Sequence, residues 1–365
     1  MRDHSTMPAT SDDARYMRRA LALAERGWGQ TAPNPMVGAV VVRDGEIVGE
    51  GFHARYGAEH AEPVALDAAG ERARGATLYV TLEPCTHEGK QPPCTPRVIA
   101  SGVSRVVIAS LDPNPIAGGG AQLLRDAGID VTVGVEEDDA RELNAPFMHR
   151  FTLDRPWTTV KLALSKDGAI ANAERRPRWL TGEESRREVH HQRAGADAIA
   201  VGIGTVLADD PLLTVRGVEQ PRLPPMRVVF DRAARIPVTS RLIRTIDDAP
   251  VTVITDGSAA DREGALESAG ATVIRATGTA DALRALKSRG IDSLYVEGGA
   301  GVVGEFLDTG SVDRLIIFQS PVVLGAGALG AFDRARSFTL EQAPRLRIVR
   351  QRRFGNDDMT IYALR

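Results

Sequence analysis

The chain has almost no cysteine: Cys85 and Cys94 are the only two among 365 residues. They could close one short disulfide, but a single small bridge is an odd way to stabilise so long a chain, and a disulfide-rich secreted scaffold is excluded. Long hydrophobic runs are missing too. No apolar stretch approaches the roughly 18 residues needed to span a membrane, and the amino-terminal MRDHSTMPATSDD holds no apolar signal core, so a cytoplasmic location is expected. Nor is there an excess of charge of one sign. The 45 basic and 48 acidic residues leave a net charge of −3, which offers polyanions no general attraction and argues against bulk nucleic-acid binding. What remains is an ordinary globular composition, 43% hydrophobic and 25% charged, in a chain long enough for two domains with a core each.

Residues 1 to about 12 are polar and aperiodic. After Ser11-Asp12, the residues Met17, Ala20, Leu21 and Ala24 recur at helical spacing as far as Gly27, which predicts a helix with an N-cap there and a closing glycine. Strand-like runs at 36–42 and 46–51 flank Arg43-Asp44-Gly45 and predict a hairpin. Helical stretches near 60–73, 96–101 and 120–127 then alternate with β-rich runs at 77–81, 106–110 and 130–135, the pattern of a sheet covered by helices. The acidic run 136–139 and the segment from Asn144 to Pro156 interrupt it, so the expected domains are 1–148 and 149–365. The second half alternates again, with strands expected at 157–164, 198–201, 227–230, 251–255, 272–275, 293–296 and 315–319. Its helices are expected near 183–194, 261–269, 280–289 and 301–308, and Pro-rich 221–225 reads as a surface loop. Both halves are α/β.

The densest chemistry lies between His60 and Cys94: His60-Ala61-Glu62, then Pro84-Cys85-Thr86-His87-Glu88-Gly89-Lys90-Gln91-Pro92-Pro93-Cys94. One imidazole and two thiolates neutralise a Zn²⁺ formally and leave its fourth tetrahedral position for water. Glu62, beside them, is then the proton carrier of a hydrolytic deaminase: it takes the proton of the activated water, hydroxide attacks the amine-bearing ring carbon, and Glu62 protonates the departing ammonia. Both ligand clusters fall at expected helix N-termini, whose positive ends favour thiolates. A closed structural zinc site would need a fourth protein ligand, and His53, Glu62 and His87 are the candidates, so that reading stays open on the residues alone. Eight residues separate the cysteines where zinc deaminases usually have two. The insertion brings His87 and Lys90, a pair suited to a substrate phosphate or, more plainly, to a solvated loop.

Together with Pro33-Asn34-Pro35-Met36-Val37-Gly38 and Asp112-Pro113-Asn114-Pro115, these motifs resemble the deaminase half of the bifunctional riboflavin-biosynthesis deaminase/reductase family, through nearly the whole first domain. The resemblance implies a cytidine-deaminase-like α/β/α fold. It also implies that Asn34, His53, His87, Lys90, Asp112 and Asn114 line a pocket for a diaminopyrimidinone carrying ribose 5-phosphate. Taken alone, each Asn or Asp of these proline-rich stretches reads as a turn former.

In the second half, Gly299-Ala300-Gly301-Val302-Val303-Gly304 fits G-x-G-x-x-G after a strand-like run and opens a helix, so its amides can hold a pyrophosphate. The acidic residue that a Rossmann NAD site carries about 20 positions onward is not evident, which leaves the motif weak by itself. The stretches KLALSKDG (161–168), GTVLADDP (204–211), Leu213-Thr214-Val215-Arg216 and Val296-Glu297-Gly298-Gly299 are similar to the reductase half of the same family over about 157–330. That similarity implies a dihydrofolate-reductase-like α/β fold and NADPH as donor. It assigns Ala163, Trp179, Thr205, Asp209, Gly299, Ala300, Gly301, Val302, Val303, Gly304 and Glu305 to the cofactor, and Arg193, Leu213, Arg216 and Glu297 to the substrate. Arg193 and Arg216 can grip a phosphate in bidentate fashion and Glu297 can bond ribose hydroxyls, whereas on composition either arginine is a surface charge. Two positions depart from the family pattern. Pro177 stands where a serine hydroxyl is usual, and Arg232 replaces a smaller polar residue, either toward the 2′-phosphate of NADPH or merely into solvent.

The resemblance thus implies a zinc- and NADPH-dependent enzyme of two activities, acting on phosphoribosyl-pyrimidines, without nucleic-acid or membrane partners, and assembled as a dimer or tetramer of one chain. The rivals are another zinc nucleobase deaminase fused to an unrelated nucleotide-binding module, and a zinc-stabilised binding protein without turnover.

Overall fold

In the computed structural model, which describes residues 10–174, 179–333, 335–337, 339, 343 and 345–364, the chain divides into two units, Met1–Thr152 and Leu153–Arg365. The first opens with α1 (Ser11–Ala24). Its cap is Thr10 and not Ser11 or Asp12: the Thr10 hydroxyl accepts from the Asp13 N–H while the Asp13 carboxylate accepts from the Thr10 N–H. The hairpin of β1 (Gly38–Arg43) and β2 (Glu46–Phe52) turns through Asp44 and Gly45, both at positive φ. Then follow α2 (Ala61–Ala69), β3 (Thr77–Leu82), α3 (Cys94–Ser101), β4 (Arg105–Ser110), α4 (Gly120–Asp126) and β5 (Asp130–Val133).

The five strands lie in the order β2-β1-β3-β4-β5, antiparallel as far as β3 and parallel beyond. Alternate residues of a strand face opposite sides, and here they build two cores. Val41, Leu78, Val80 and Ile108 pack with α2, α3 and α4, while Val40, Val42, Tyr79 and Val107 pack with α1. Glycine sets the closeness of one contact: a Cβ at Gly51 would lie 2.4 Å from the Ala61 carbonyl oxygen, and at Gly49 2.2 Å from that of Ala65. Helix α2 can therefore lie directly on β2, and its first turn is held against the sheet.

The stretch expected to break the pattern contains two helices, α5 (Glu137–Leu143) and α6 (Ala145–His149). The acidic run is the first turn of α5, where Glu137, Asp138 and Asp139 complement the positive helix end. Between the helices, the Asn144 amide exchanges two 2.8 Å hydrogen bonds with the Met36 backbone and ties this segment to the stretch just before β1.

The second unit runs β6 (Trp157–Leu164), β7 (Ala169–Ala171), α7 (Glu183–Ala194), β8 (Ala198–Gly202), α8 (Ile203–Asp209), β9 (Met226–Phe230), α9 (Arg241–Arg244), β10 (Val251–Thr255), α10 (Ala260–Ser268), β11 (Thr272–Arg275), α11 (Thr279–Lys287), β12 (Ser293–Glu297), α12 (Ala300–Asp308), β13 (Arg314–Gln319), β14 (Leu329–Gly330), β15 (Leu346–Phe354) and β16 (Asp357–Leu364). Nine strands form one sheet in the order β11-β10-β9-β8-β12-β6-β13-β16-β15, parallel from β11 to β13 and antiparallel in the last three. Helices α11 and α12 cover one face and α8, α9 and α10 the other, so β8 and β10 are buried from end to end. The final hairpin was not expected from the sequence, because β15 is mostly exposed and has no apolar face to give it a period. It nonetheless anchors the unit: buried Asp357 accepts from the Gly182 N–H and the Ser185 hydroxyl at the start of α7. No helix among the described residues is long and apolar enough to cross a membrane.

Candidate active sites

His60 is the N-cap of α2, Cys94 opens α3, and Cys85 follows β3 across Glu83 and Pro84. These three bring their donor atoms within 4.8 Å of one another; no other described His, Cys, Asp or Glu belongs to the group. His60 Nδ1 lies 3.1 Å from Cys94 Sγ and 3.6 Å from Cys85 Sγ. The edges of a zinc tetrahedron with ordinary Zn–N and Zn–S bonds are roughly 3.5–3.8 Å, so the donor set fits that ion in kind, with the His60–Cys85 separation at an edge length and the His60–Cys94 one shorter. Without a metal between them, Cys85 is lowered, first by the hydrogen bond from Cys94 and then by His60, and Cys94 is raised by Cys85 and by burial. The Thr95 hydroxyl donates to the Cys85 carbonyl at 2.8 Å, which ties the two cysteine segments together.

Glu62 sits in the first turn of α2, 3% exposed, and burial raises its carboxyl to about 7. A carboxyl with that affinity can both take and return a proton near neutrality. His53 is buried and doubly held: Nδ1 donates to the Glu59 carbonyl at 3.0 Å, and Nε2 faces the Asn34 amide nitrogen at 3.2 Å. A neutral ring with the proton on Nδ1 satisfies both contacts, and burial lowers its pKa accordingly. His53 and His60 meet edge to face at 5.4 Å.

The loop between the cysteines is fastened by Gln91, whose amide donates to the Gly57 carbonyl at 2.9 Å. Lys90 Nζ lies over the Tyr56 ring at 4.4 Å, and His87 keeps a buried Nδ1 without a hydrogen-bond partner among the described residues, so neither side chain of the insertion joins the cluster. Asp112 and Asn114 are turn formers in the folded chain: Asp112 Oδ1 accepts from the Asn114 N–H and Asn114 Oδ1 from the Ile116 N–H. Burial, with Glu83 and Cys85 nearby, raises Asp112 to about 6. Glu83 was not singled out in the sequence, yet its carboxylate accepts from the N–H groups of Asp112 and Ala121 and so sets the loop against α4.

In the second unit the carboxyl ends of β6, β8 and β12 lie side by side, the usual place for a ligand in a parallel sheet. Ala163 is at the end of β6, Thr205 in α8 after β8, and the glycine run follows β12 with Gly299 as N-cap of α12. A Cβ on Gly202 would lie 2.4 Å from Val302 and one on Gly299 4.0 Å from Thr205 Oγ1, so the glycines allow α12 and α8 to meet at their starts. Asp209 closes α8 and is exposed. Glu305 accepts from Thr279 Oγ1 at 2.6 Å and pairs with exposed Arg232 at 3.4 Å, which puts Arg232 beside the glycine helix.

The substrate-side residues are arranged differently from the expectation of two free arginines. Arg193 is nine-tenths buried and its fork is taken by Glu297. Arg216 is exposed, with Nη1 donating to Thr214 Oγ1 at 2.6 Å, and Leu213 is buried at a φ of 51°. Trp179 is 81% exposed and carries the Arg186 guanidinium over its ring at 5.2 Å. Trp179, Arg186, Arg187, His190 and Arg216 share the lining of a cavity of about 830 Å³. Lys161, cross-strand partner of Glu297, is a residue that sequence reasoning passed over; burial lowers its ammonium, and no described residue hydrogen-bonds it. Pro177 lies outside the described residues.

Such a pair of units defines a zinc-type deaminase joined to an α/β reductase, and comparison with known proteins agrees for each. Residues 10–110 match the cytidine and deoxycytidylate deaminase zinc-binding region, and residues 156–359 match the RibD C-terminal domain. The riboflavin biosynthesis protein RibD of Aquifex aeolicus is 46% identical over 86% of this chain and 88% of its own, and that of Escherichia coli (strain K12) 40% over 94% and 97%. Among solved structures, Acinetobacter baumannii RibD in one form superposes with a TM-score of 0.84 at 35% identity, over 97% of this chain and 99% of that one. A Thermotoga maritima diaminohydroxyphosphoribosylaminopyrimidine deaminase/5-amino-6-(5-phosphoribosylamino)uracil reductase does so with 0.84 at 36%, over the same shares. The chain belongs to the RibD family of riboflavin biosynthesis proteins. The reading of an unrelated module behind the deaminase is thereby set aside.

Proposed function

We propose that the chain catalyses two consecutive steps of riboflavin biosynthesis with Zn²⁺ and NADPH. The first is hydrolytic deamination of 2,5-diamino-6-ribosylamino-4(3H)-pyrimidinone 5′-phosphate to the corresponding aminouracil. The second is reduction of its ribosyl group to ribityl. The observation that carries this is the three-donor cluster with buried Glu62 beside it, on a chain that also holds the RibD reductase unit.

In the first unit, His60, Cys85 and Cys94 hold the metal, whose contribution when bound is Lewis acidity toward water. Glu62 removes a proton from the attacking water and delivers one to the amine as it leaves as ammonia, so the ring exchanges an amino for an oxo group. Asn34, held on the His53 ring, and Asp112 orient the pyrimidine, while His87 and Lys90 meet the phosphate.

In the second unit the amides at the start of α12 receive the pyrophosphate of the dinucleotide, with Thr205, Asp209, Ala163 and Trp179 around the remainder. NADPH supplies a hydride to C1′ of the opened sugar. Lys161, the cross-strand partner of Glu297, delivers the accompanying proton at that end of the sheet, Glu297 bonds the ribose hydroxyls, and Arg216 meets the phosphate.

Ultraviolet-monitored conversion of the diaminopyrimidinone phosphate tests the reading. Ammonia should appear without NADPH, and NADPH should be oxidised only once the deaminated product is present; turnover of neither kind would reject it. We further place the enzyme in the cytoplasm, where the free thiols of Cys85 and Cys94 stay reduced, and infer a homo-oligomer from the exposed Leu346 and Ile348 on edge strand β15. A monomeric mass by light scattering would refute the second point, and recovery with an exported fraction the first.

A further inference from the structure

Helix α7 presents His190 and Arg193 on one face, three residues apart, and both reach the segment beyond α8. Arg193 Nη1 donates to the Thr214 carbonyl at 2.9 Å, and His190 Nδ1 accepts from the Arg216 backbone N–H at 3.1 Å. Leu213, just ahead, is held at positive φ, a conformation that a leucine keeps only when its surroundings impose it. The stretch that carries Leu213 and Arg216 is therefore fastened to α7 at two points. One of them is His190, which no part of the reaction described above employs.

The partner of His190 Nδ1 is an amide N–H, which can only donate. The ring nitrogen must then carry its lone pair, and the proton of the neutral imidazole is on Nε2. Protonating the ring would set one N–H against another and undo the contact. The charged groups around it are Arg193 of its own helix, Arg216 of the pinned segment, Glu297 at the end of β12, and the Arg186 and Arg187 side chains of the shared cavity. Burial first, then Arg193 and Arg216, lower the imidazole to about 4, so the ring is neutral throughout the physiological range.

We infer that His190 is a positioning residue of the reductase site: by accepting from the Arg216 backbone it holds that arginine at the wall of the cavity, where the phosphorylated pyrimidine binds. The inference rests on the reductase activity proposed above. It makes no claim that His190 touches the reacting atoms.

The test uses the full chain with zinc and NADPH, the deaminated pyrimidine phosphate as substrate, and two variants, His190→Ala and His190→Asn. The carboxamide oxygen of Asn can take the place of Nδ1 as acceptor; Ala leaves the Arg216 N–H without one. The expected result for His190→Ala is a rise of about tenfold in KM for the pyrimidine, with a smaller change in kcat and in KM for NADPH, the usual size for an abandoned hydrogen-bonding group. His190→Asn should recover most of the loss. Deamination and NADPH binding measured on the same preparations report that the chains are folded. An unchanged KM in His190→Ala, or a folded His190→Asn as impaired as His190→Ala, overturns the inference. Failure of the unsubstituted chain to oxidise NADPH overturns instead the reading on which it stands, and the inference with it.

Discussion

The Arg193 guanidinium closes on the Glu297 carboxylate through two hydrogen bonds, Nε to Oε1 at 2.5 Å and Nη2 to Oε2 at 3.0 Å. The side chains are 11% and 14% exposed, so the pair is nearly out of water. Burial alone would raise Glu297, but Arg193 and Lys161 outweigh it and keep the carboxylate charged. A fork committed in this way holds Glu297 at the end of β12 and leaves the grip on a phosphate to Arg216.

Cutting one half of this pair should cost more than removing both. Arg193→Met leaves an uncompensated buried carboxylate, a change of about 3–5 kcal/mol by analogy with other buried pairs, whereas Arg193→Met with Glu297→Met removes both charges. Thermal melts of the two variants should place the double variant above the single one. The reverse order would show that the pair is not coupled as the geometry says.

Glu62→Gln should abolish deamination, by about 10²–10⁴-fold, while zinc is retained and NADPH oxidation continues with the deaminated substrate. Metal analysis and the two assays run on one preparation decide it. Loss of both activities in a folded chain would show that the two sites are not independent.

Chelation should stop ammonia release and spare the reductase, and Cys85→Ser should lower bound zinc from one per chain toward none. Atomic emission on dialysed protein gives the count. Full deamination in chelated protein free of zinc would remove the metal from the mechanism.

Arg232, 77% exposed beside Glu305, stands next to the glycine helix, and we propose that it meets the 2′-phosphate of NADPH there. Arg232→Ala should raise KM for NADPH about tenfold and leave KM for NADH as it was, since one charge-assisted contact is lost. Equal effects on the two cofactors would assign Arg232 to solvent.

The first unit should lose stability in acid through Asp13. Burial raises that carboxyl, but Arg105 at 2.8 Å, the Thr10 N–H and the Tyr79 hydroxyl together bring it down to about 2. A folded pKa below the unfolded 3.8 means that the stabilisation is complete above that value and disappears as pH falls from about 4 to 2, roughly 2 kcal/mol in all. Melting temperatures of the wild type should fall across that window more steeply than those of Asp13→Asn. Parallel curves would contradict the assignment.

The three-donor cluster and Glu62 were legible in the sequence because zinc favours imidazole and thiolate donors, and because His60 and Cys94 sit at helix starts that local spacing marks. The alternation of strand and helix in both halves was legible for a similar reason, since apolar period reports which face is buried. Exposed or locally charged segments carry no such signal. Strand β15 has no buried face, and the acidic start of α5 reads as a break until the helix dipole gives it a place.

By itself, then, the sequence picked out the three donor residues, the carboxylate beside them and the α/β class, which depend on residue type and short-range order. Only the tertiary structure decided which polar groups meet. Glu297 is 104 positions from Arg193, and Arg216 is 26 from His190. Whether a guanidinium faces a carboxylate, a phosphate or water is set by chain segments that the fold alone brings into hydrogen-bond reach, where burial strengthens the pairing.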